Sequence, residues 1–144
     1  MTLQKILKSF LWAFRYLFFT LISRISLVIP KEEGLWLFGS WGGKRFSSST
    51  KYLYLYIVKN HKNIKPFWIT RNNQVFSHLR KKSLPVYKKI SLRGIWLSFR
   101  AEVIFVSNEI YDVSPGFADG ALFIQLFHMV LPIKYMMRGD SKVT

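Results

Sequence analysis

The residues best suited to chemistry gather in one loop, Gly39 to Ser49. Gly39, Gly42, Gly43, the adjacent cations Lys44 and Arg45, and a run of hydroxyls separate a short apolar segment, Leu35–Phe38, from a segment with helical spacing that begins at Lys51. Such a strand–loop–helix turn aims backbone N–H groups and a helix N-terminus at one spot, where an anion is stabilised. The chemistry this suggests is the handling of phosphate. The loop is not a Walker A motif: three residues separate Gly39 from Gly43, and Arg45 stands where the hydroxyl for magnesium should be. A tight turn that merely needs glycine is the competing reading.

A second candidate is His128, at the end of an apolar run, with Glu109, Asp112 and Asp119 in the loop before it. A histidine there either moves a proton or packs as a structural residue. Asp119, just before Gly120, reads as a turn residue. His61 and His78 fall at polar helix ends and read as surface residues. The three histidines and seven acidic residues show no metal-ligand spacing, and the absence of cysteine excludes thiolate zinc, disulfides and a cysteine nucleophile. No nucleophile elbow occurs.

These residues belong to a chain of 144 amino acids, one domain's worth, half of it hydrophobic. The charge is lopsided, with 22 basic and 7 acidic residues for a net +15. No acidic residue precedes Glu32 and none lies between Glu33 and Glu102. A field of that sign draws polyanions: anionic lipid, a phosphate polymer or nucleic acid. Aromatics interleaved with cations could stack single-stranded nucleic acid, but most fall on predicted strands and helix faces, so that partner ranks below the others.

The elements that position the loop follow from periodicity. Leu3, Leu7, Phe10, Phe14, Leu17, Leu21 and Ile25 recur at helical spacing, and Pro30 closes the segment. The stretch is long enough to span a bilayer, yet Arg15 and Arg24 lie inside it, each costing roughly 2.5–3.5 kcal/mol at a helix centre. The favoured reading of residues 1–30 is a basic amphipathic helix in the headgroup plane, with Lys5, Lys8, Arg15 and Arg24 facing phosphates and Trp12 at the interface. A span, and a helix packed on the protein's own core, remain alternatives. Beyond it the pattern predicts strands at Leu35–Phe38, Phe67–Thr70, Val86–Tyr87, Val103–Val106 and Leu122–Phe127. Helices are predicted at Lys51–Asn60, Asn73–Lys82 and from a Ser91 cap to about Arg100. Strands alternating with ten-residue helices mean βαβ units and a parallel sheet, an α/β Rossmann-like fold. Ligands in such sheets sit beyond the strands' carboxyl ends. Residues 135–144 read as a frayed tail.

The run WLFGSWGGKRFSSSTKYLYLYIVKNHKNIKPFWIT (36–70) resembles the start of the CDP-glycerol:poly(glycerol phosphate) glycerophosphotransferase family, the teichoic acid polymerase and primase type. The resemblance continues through SLRGIWLSFRAEVIFVS (91–107), NEIYDV (108–113) and GALFIQLFHMVLPIK (120–134). It implies the N-terminal, acceptor-side Rossmann-like domain, residues 34–134, of a two-domain GT-B transferase. The donor would be CDP-glycerol or another CDP-polyol. No further cofactor is implied. The partners implied are an anionic membrane surface at its cytoplasmic face and a lipid-linked or polymeric phosphate acceptor. By the same resemblance His128 is the general base and Lys134 pairs with phosphate charge, while Gly39, Gly42, Gly43, Lys44 and Lys51 are the acceptor- or phosphate-binding candidates of the loop and the helix after it. Met129 stands where the family's motif has glycine, and Ser48 and Ser49 where it usually has Asp-Asn. The donor-binding half is absent, so the expectation is a truncated or split transferase, inactive alone unless a separate chain supplies that half. The alternative is a non-enzymatic basic protein of the membrane surface.

Overall fold

A computed structural model of the protein describes residues 3–113 and 116–126, with the backbone alone at 3, 4, 6, 7 and 110. A long helix α1 (Leu3–Val28) leads into an α/β body. The body runs β1 (Glu32–Phe38), α2 (Ser48–Asn60), β2 (Lys65–Thr70), α3 (Asn73–Lys81), β3 (Val86–Lys88), α4 (Leu92–Arg100), β4 (Ala101–Val106) and β5 (Leu122–Gln125). The five strands form one sheet in the order β3-β2-β1-β4-β5, and every pairing is parallel. This is the α/β, Rossmann-like sheet that the alternation of elements predicts.

Local chemistry sets the boundaries. The Asn72 side chain caps α3 by accepting from the N–H groups of Gln74 and Val75, and the predicted Ser91 cap accepts from Gly94 N–H at 3.0 Å. β1 begins three residues earlier than its apolar core suggests. Glu32 pairs in register with Ala101, and its carboxylate meets Lys65 at 2.5 Å and Arg100 at 3.5 Å. The hydrogen bond from Lys65 holds that carboxyl below its ordinary range. Hydropathy could not reveal a strand opened by an ion pair. α2 likewise starts at Ser48 rather than Lys51.

The sheet is buried on both faces, which is why its strands read as unbroken apolar runs. Alternate residues of β1 supply the two cores. Leu35 and Leu37 join Ile69, Ile104, Val106, Val113 and Ala118 on one face, with Leu97 of α4 against them. Phe38 joins Tyr54, Ile57, Trp68, Leu79, Val86, Val103 and Phe105 on the other, under α2 and α3. Phe38 stacks on Phe105 with ring centroids 4.9 Å apart.

Tyr54 is fully buried and donates its hydroxyl to Pro85 O at 2.8 Å. Burial drives its ionisation well above the ordinary tyrosine value of about 10. The unfolded chain therefore releases that proton above pH 10 while the folded chain keeps it. Stability falls as pH rises through that window, by about 1.4 kcal/mol per pH unit from this group. Urea unfolding between pH 9 and 11.5 should show this alkaline loss in the wild type and a correspondingly flatter profile in Tyr54→Phe.

Helix α1 behaves differently from the others. Among its described side chains only Ile22 and Ser26 are buried. Its C-terminal half docks through one stripe. Ser26 Oγ donates to Phe117 O at 2.9 Å and Asp119 O at 3.0 Å, and the Ser23 hydroxyl donates to the Asp119 carboxylate. Lys31 Nζ then ties the helix end to the body, donating to Asp119 O at 2.6 Å and Phe99 O at 2.9 Å. Burial lowers the Lys31 pKa and Asp119 partly offsets it. Asp119 thus does more than shape a turn, and Lys31 is an internal clamp. The predicted apolar stripe Phe10, Phe14, Leu17, Leu21 and Ile25 is exposed.

Candidate functional site

Four loops meet beyond the carboxyl ends of the strands, around the point where β1 pairs with β2 on one side and β4 on the other. That reversal in strand order is the usual ligand crevice of an open α/β sheet. The loop after β1 makes a 3-10 turn at Trp41–Gly43, and the loop after β4 makes another at Ile110–Asp112.

Asp112 joins them. It is fully buried, and both carboxylate oxygens are used. Oδ1 accepts from Gly42 N–H at 2.5 Å. Oδ2 accepts from Ser107 N–H at 2.8 Å, Asn108 N–H at 2.9 Å and the Ser107 hydroxyl at 3.2 Å. Asp112 therefore organises the backbone of the two loops.

The glycines are explained by proximity. A Cβ on Gly39 would stand 2.6 Å from the Asp112 carbonyl oxygen, nearer than any side chain tolerates. Gly43 has φ +78, and its carbonyl accepts from Arg71 N–H and the Thr70 hydroxyl, each at 2.8 Å. Trp41 and Ser48 also sit at positive φ, 51° and 69°, and the Trp41 indole donates to Ser48 Oγ at 3.1 Å. Two non-glycine residues in the left-handed region at one loop mark strain held in place by the surrounding fold.

The cations around this frame are only partly those singled out from sequence. Lys44 is exposed and its carbonyl is held by the Asn72 amide at 3.0 Å. Arg45 stacks over Trp41 at 5.0 Å. Lys51, in the first turns of α2, lies 5.5 Å from the Phe46 ring centroid and 5.4 Å from that of Tyr52. Sequence reasoning missed Arg71, which follows β2, and Lys89, which follows β3. Both occupy the loop position after a predicted strand, and that position was the available signal. The Arg71 guanidinium comes within 4.0 Å of where a Gly42 Cβ would be. Lys89 is half-buried, and its Nζ donates to Tyr111 O at 2.6 Å. Burial lowers its pKa first and Arg71 lowers it further, while Asp112 offsets part. Two cations thus share a crevice with one buried carboxylate that is committed to backbone N–H groups. A bound anion would relieve their repulsion.

His128 and Lys134, together with Met129 and Pro132, lie outside the described residues, as does the tail at 135–144. The last described link is Leu126 N–H, donating to Val106 O at 2.8 Å. His78 is exposed, and His61 is half-buried beside the Tyr56 ring rather than free on the surface. Among the described residues no three metal-ligating side chains cluster. Lys5, Lys8, Trp12, Arg15 and Arg24 are all exposed on α1.

Residues 21–143 match the CDP-Glycerol:Poly(glycerophosphate) glycerophosphotransferase family. The chain belongs to this family. It is 27% identical over 82 residues to the teichoic acid poly(glycerol phosphate) polymerase of Bacillus subtilis (strain 168), a stretch covering 57% of this chain and 11% of that protein. The fold resembles the wall teichoic acid polymerase TagF, with TM-score 0.55 at 18% identity over 89% of this chain and 32% of the TagF chain. A TagF variant soaked with CDPG matches with TM-score 0.50 at 22% identity, over 67% of this chain and 23% of that one. The chain thus spans a minor part of each of these relatives. The glycerophosphotransferase resemblance read from residues 36–134 is borne out at the level of family and fold.

Proposed function

We propose that this chain is the acceptor-side domain of a GT-B polyol-phosphate transferase, working peripherally at the cytoplasmic face of the cell membrane. The observation that carries the reading is the crevice at the strand ends. Arg71, Lys89 and the Gly39–Gly43 turn face one another there, in a member of the glycerophosphotransferase family. Such a crevice suits a chain of phosphodiesters, each neutralised by a guanidinium, an ammonium or backbone N–H groups. Lys44 and Lys51 are further candidates for phosphate by their place in the loop and in the first turns of α2, and Lys134 by its place in the family's motif.

The donor would be CDP-glycerol or another CDP-polyol, held by a second domain outside this sequence, in the same or a separate chain. In the reaction the acceptor hydroxyl oxygen bonds to the phosphorus bearing the polyol. The bond from that phosphorus to the CMP oxygen breaks, and CMP leaves. His128 takes the hydroxyl proton as the new bond forms. The domain's own contribution is to hold the acceptor in line and neutralise its charge, which is where phosphoryl transfer gains its rate.

The test is transfer of glycerol phosphate from CDP-glycerol to a poly(glycerol phosphate) or lipid-linked acceptor, with a donor-binding partner present. His128→Ala should reduce the rate by about a hundredfold or more. Undiminished transfer by His128→Ala would remove His128 as the base. The exposed stripe Phe10, Phe14, Leu17, Leu21 and Ile25 favours a second reading, a basic membrane-surface protein without catalysis. Vesicle binding with no transfer under any pairing would decide for it.

A further inference from the structure

Between α1 and the body lies a cavity of about 570 Å³, lined by Arg15, Tyr16, Phe19, Arg24, Leu27 and Tyr111 among others. A smaller hollow of about 250 Å³ extends it along the helix and shares Arg15, Tyr16 and Phe19 with it. The size is that of a small-molecule site. Its lining is mixed in an informative way. Phe19, Leu27 and the ring of Tyr16 offer apolar contact, and two guanidinium groups are the charged members. Neither Arg15 nor Arg24 forms an ion pair among the described residues. The Thr20 and Ser23 hydroxyls are already engaged: Thr20 donates to Tyr16 O at 2.9 Å, and Ser23 donates to Asp119. Arginine is the side chain best shaped to bind phosphate by paired hydrogen bonds. The cavity also abuts the crevice described above, because the backbone oxygen of its wall residue Tyr111 receives Lys89.

We propose that this groove binds the phosphate headgroup of an anionic membrane lipid. Arg15 and Arg24 flank the groove from its two edges and supply its positive charge, and the first acyl carbons lie along Phe19 and Leu27. The groove sits on the flank of a helix whose far side is a row of exposed apolar residues and which carries no acidic residue. A headgroup seated there fixes how the helix lies on the bilayer and sets the crevice at a defined height above it. The inference rests on the reading of α1 as an interfacial helix, and its experiment separates the two.

The full chain is titrated with monomeric dihexanoyl phosphatidylglycerol below its micelle concentration, where no surface potential exists. Binding is read from Trp12 fluorescence and from amide shifts in α1. Saturable binding is expected. It should weaken at least tenfold in the double variant Arg15→Gln, Arg24→Gln, and stay within about twofold in Lys59→Gln, Lys62→Gln, which removes the same charge from the exposed end of α2. Inorganic phosphate and glycerol 1-phosphate should bind at least tenfold more weakly than the lipid. Absence of saturation, or equal loss in the two double variants, overturns the groove. Equal affinity for inorganic phosphate overturns the lipid as occupant. Cosedimentation with phosphatidylglycerol vesicles runs in parallel. Vesicle binding without monomer binding defeats the groove alone, whereas failure to bind vesicles defeats the interfacial helix itself.

Discussion

Replacing Asp112 by alanine is expected to destabilise the protein by about 3 kcal/mol and lower its Tm by about 10 °C. The size follows from what the carboxylate holds. It accepts three backbone N–H groups, from Gly42, Ser107 and Asn108, and the Ser107 hydroxyl. Ser107 is fully buried, so its N–H loses its partner with little access to water, while its hydroxyl keeps Asn108 Oδ1 at 2.8 Å. A donor orphaned inside a protein costs about 1–3 kcal/mol, more when the lost partner was charged. Gly42 is half-buried and recovers part of its loss from solvent, which keeps the total below a simple sum. Asp112→Asn should cost less, about 2 kcal/mol, because one oxygen survives while an amide N–H faces donors. Denaturant unfolding of both variants checks this order. A loss under 1 kcal/mol in Asp112→Ala would mean that the two loops are held by something else.

The second large effect is electrical. Arg71 pushes the Lys89 pKa down, on top of the larger effect of burial. Arg71→Gln should therefore raise the Lys89 pKa towards its ordinary value of about 10.4, readable from the ε-methylene resonance of that lysine across pH. The sign for stability follows. With its folded pKa depressed, Lys89 favours folding more as pH rises through that pKa towards the unfolded one, because the unfolded chain then binds the extra proton. In Arg71→Gln this alkaline gain shrinks. The same substitution removes a bidentate phosphate donor from the crevice. A Lys89 pKa that stays put in Arg71→Gln would mean that the two cations do not share a crevice.

Much of the body was legible from sequence because its strands are buried on both faces. Val103–Val106 and Phe67–Thr70 carry no polar residue that obscures the pattern until the final threonine, and the helices between them begin with Asn72 and Ser91 as caps. What hydropathy could not show was structure made by charge. The early start of β1 at Glu32 depends on Lys65 and Arg100, which are distant in sequence. The docking of α1 depends on Ser23, Ser26 and Lys31 meeting Asp119 and Phe117 far along the chain.

The candidate site divides the same way. Gly39, Gly42 and Gly43 announced themselves by type, and the structure supplies the reason: a carbonyl at contact distance and a carboxylate fastening the turn. Arg71 and Lys89 did not, since each is one basic residue among 22 and only the strand order brings them together. Asp112 could be noticed but not assigned, because a carboxylate in a loop reads alike whether it orients a base or ties down backbone.

The central claim is that the crevice at the strand ends takes a chain of phosphodiesters. The direct measurement is calorimetric titration of a short glycerol phosphate oligomer into the 144-residue chain. The account expects saturable binding that weakens at least tenfold in Arg71→Gln, Lys89→Gln and stays within about twofold in Arg80→Gln, Lys81→Gln, which removes the same charge at the end of α3. No binding by the wild type, or an equal loss in both double variants, would contradict it.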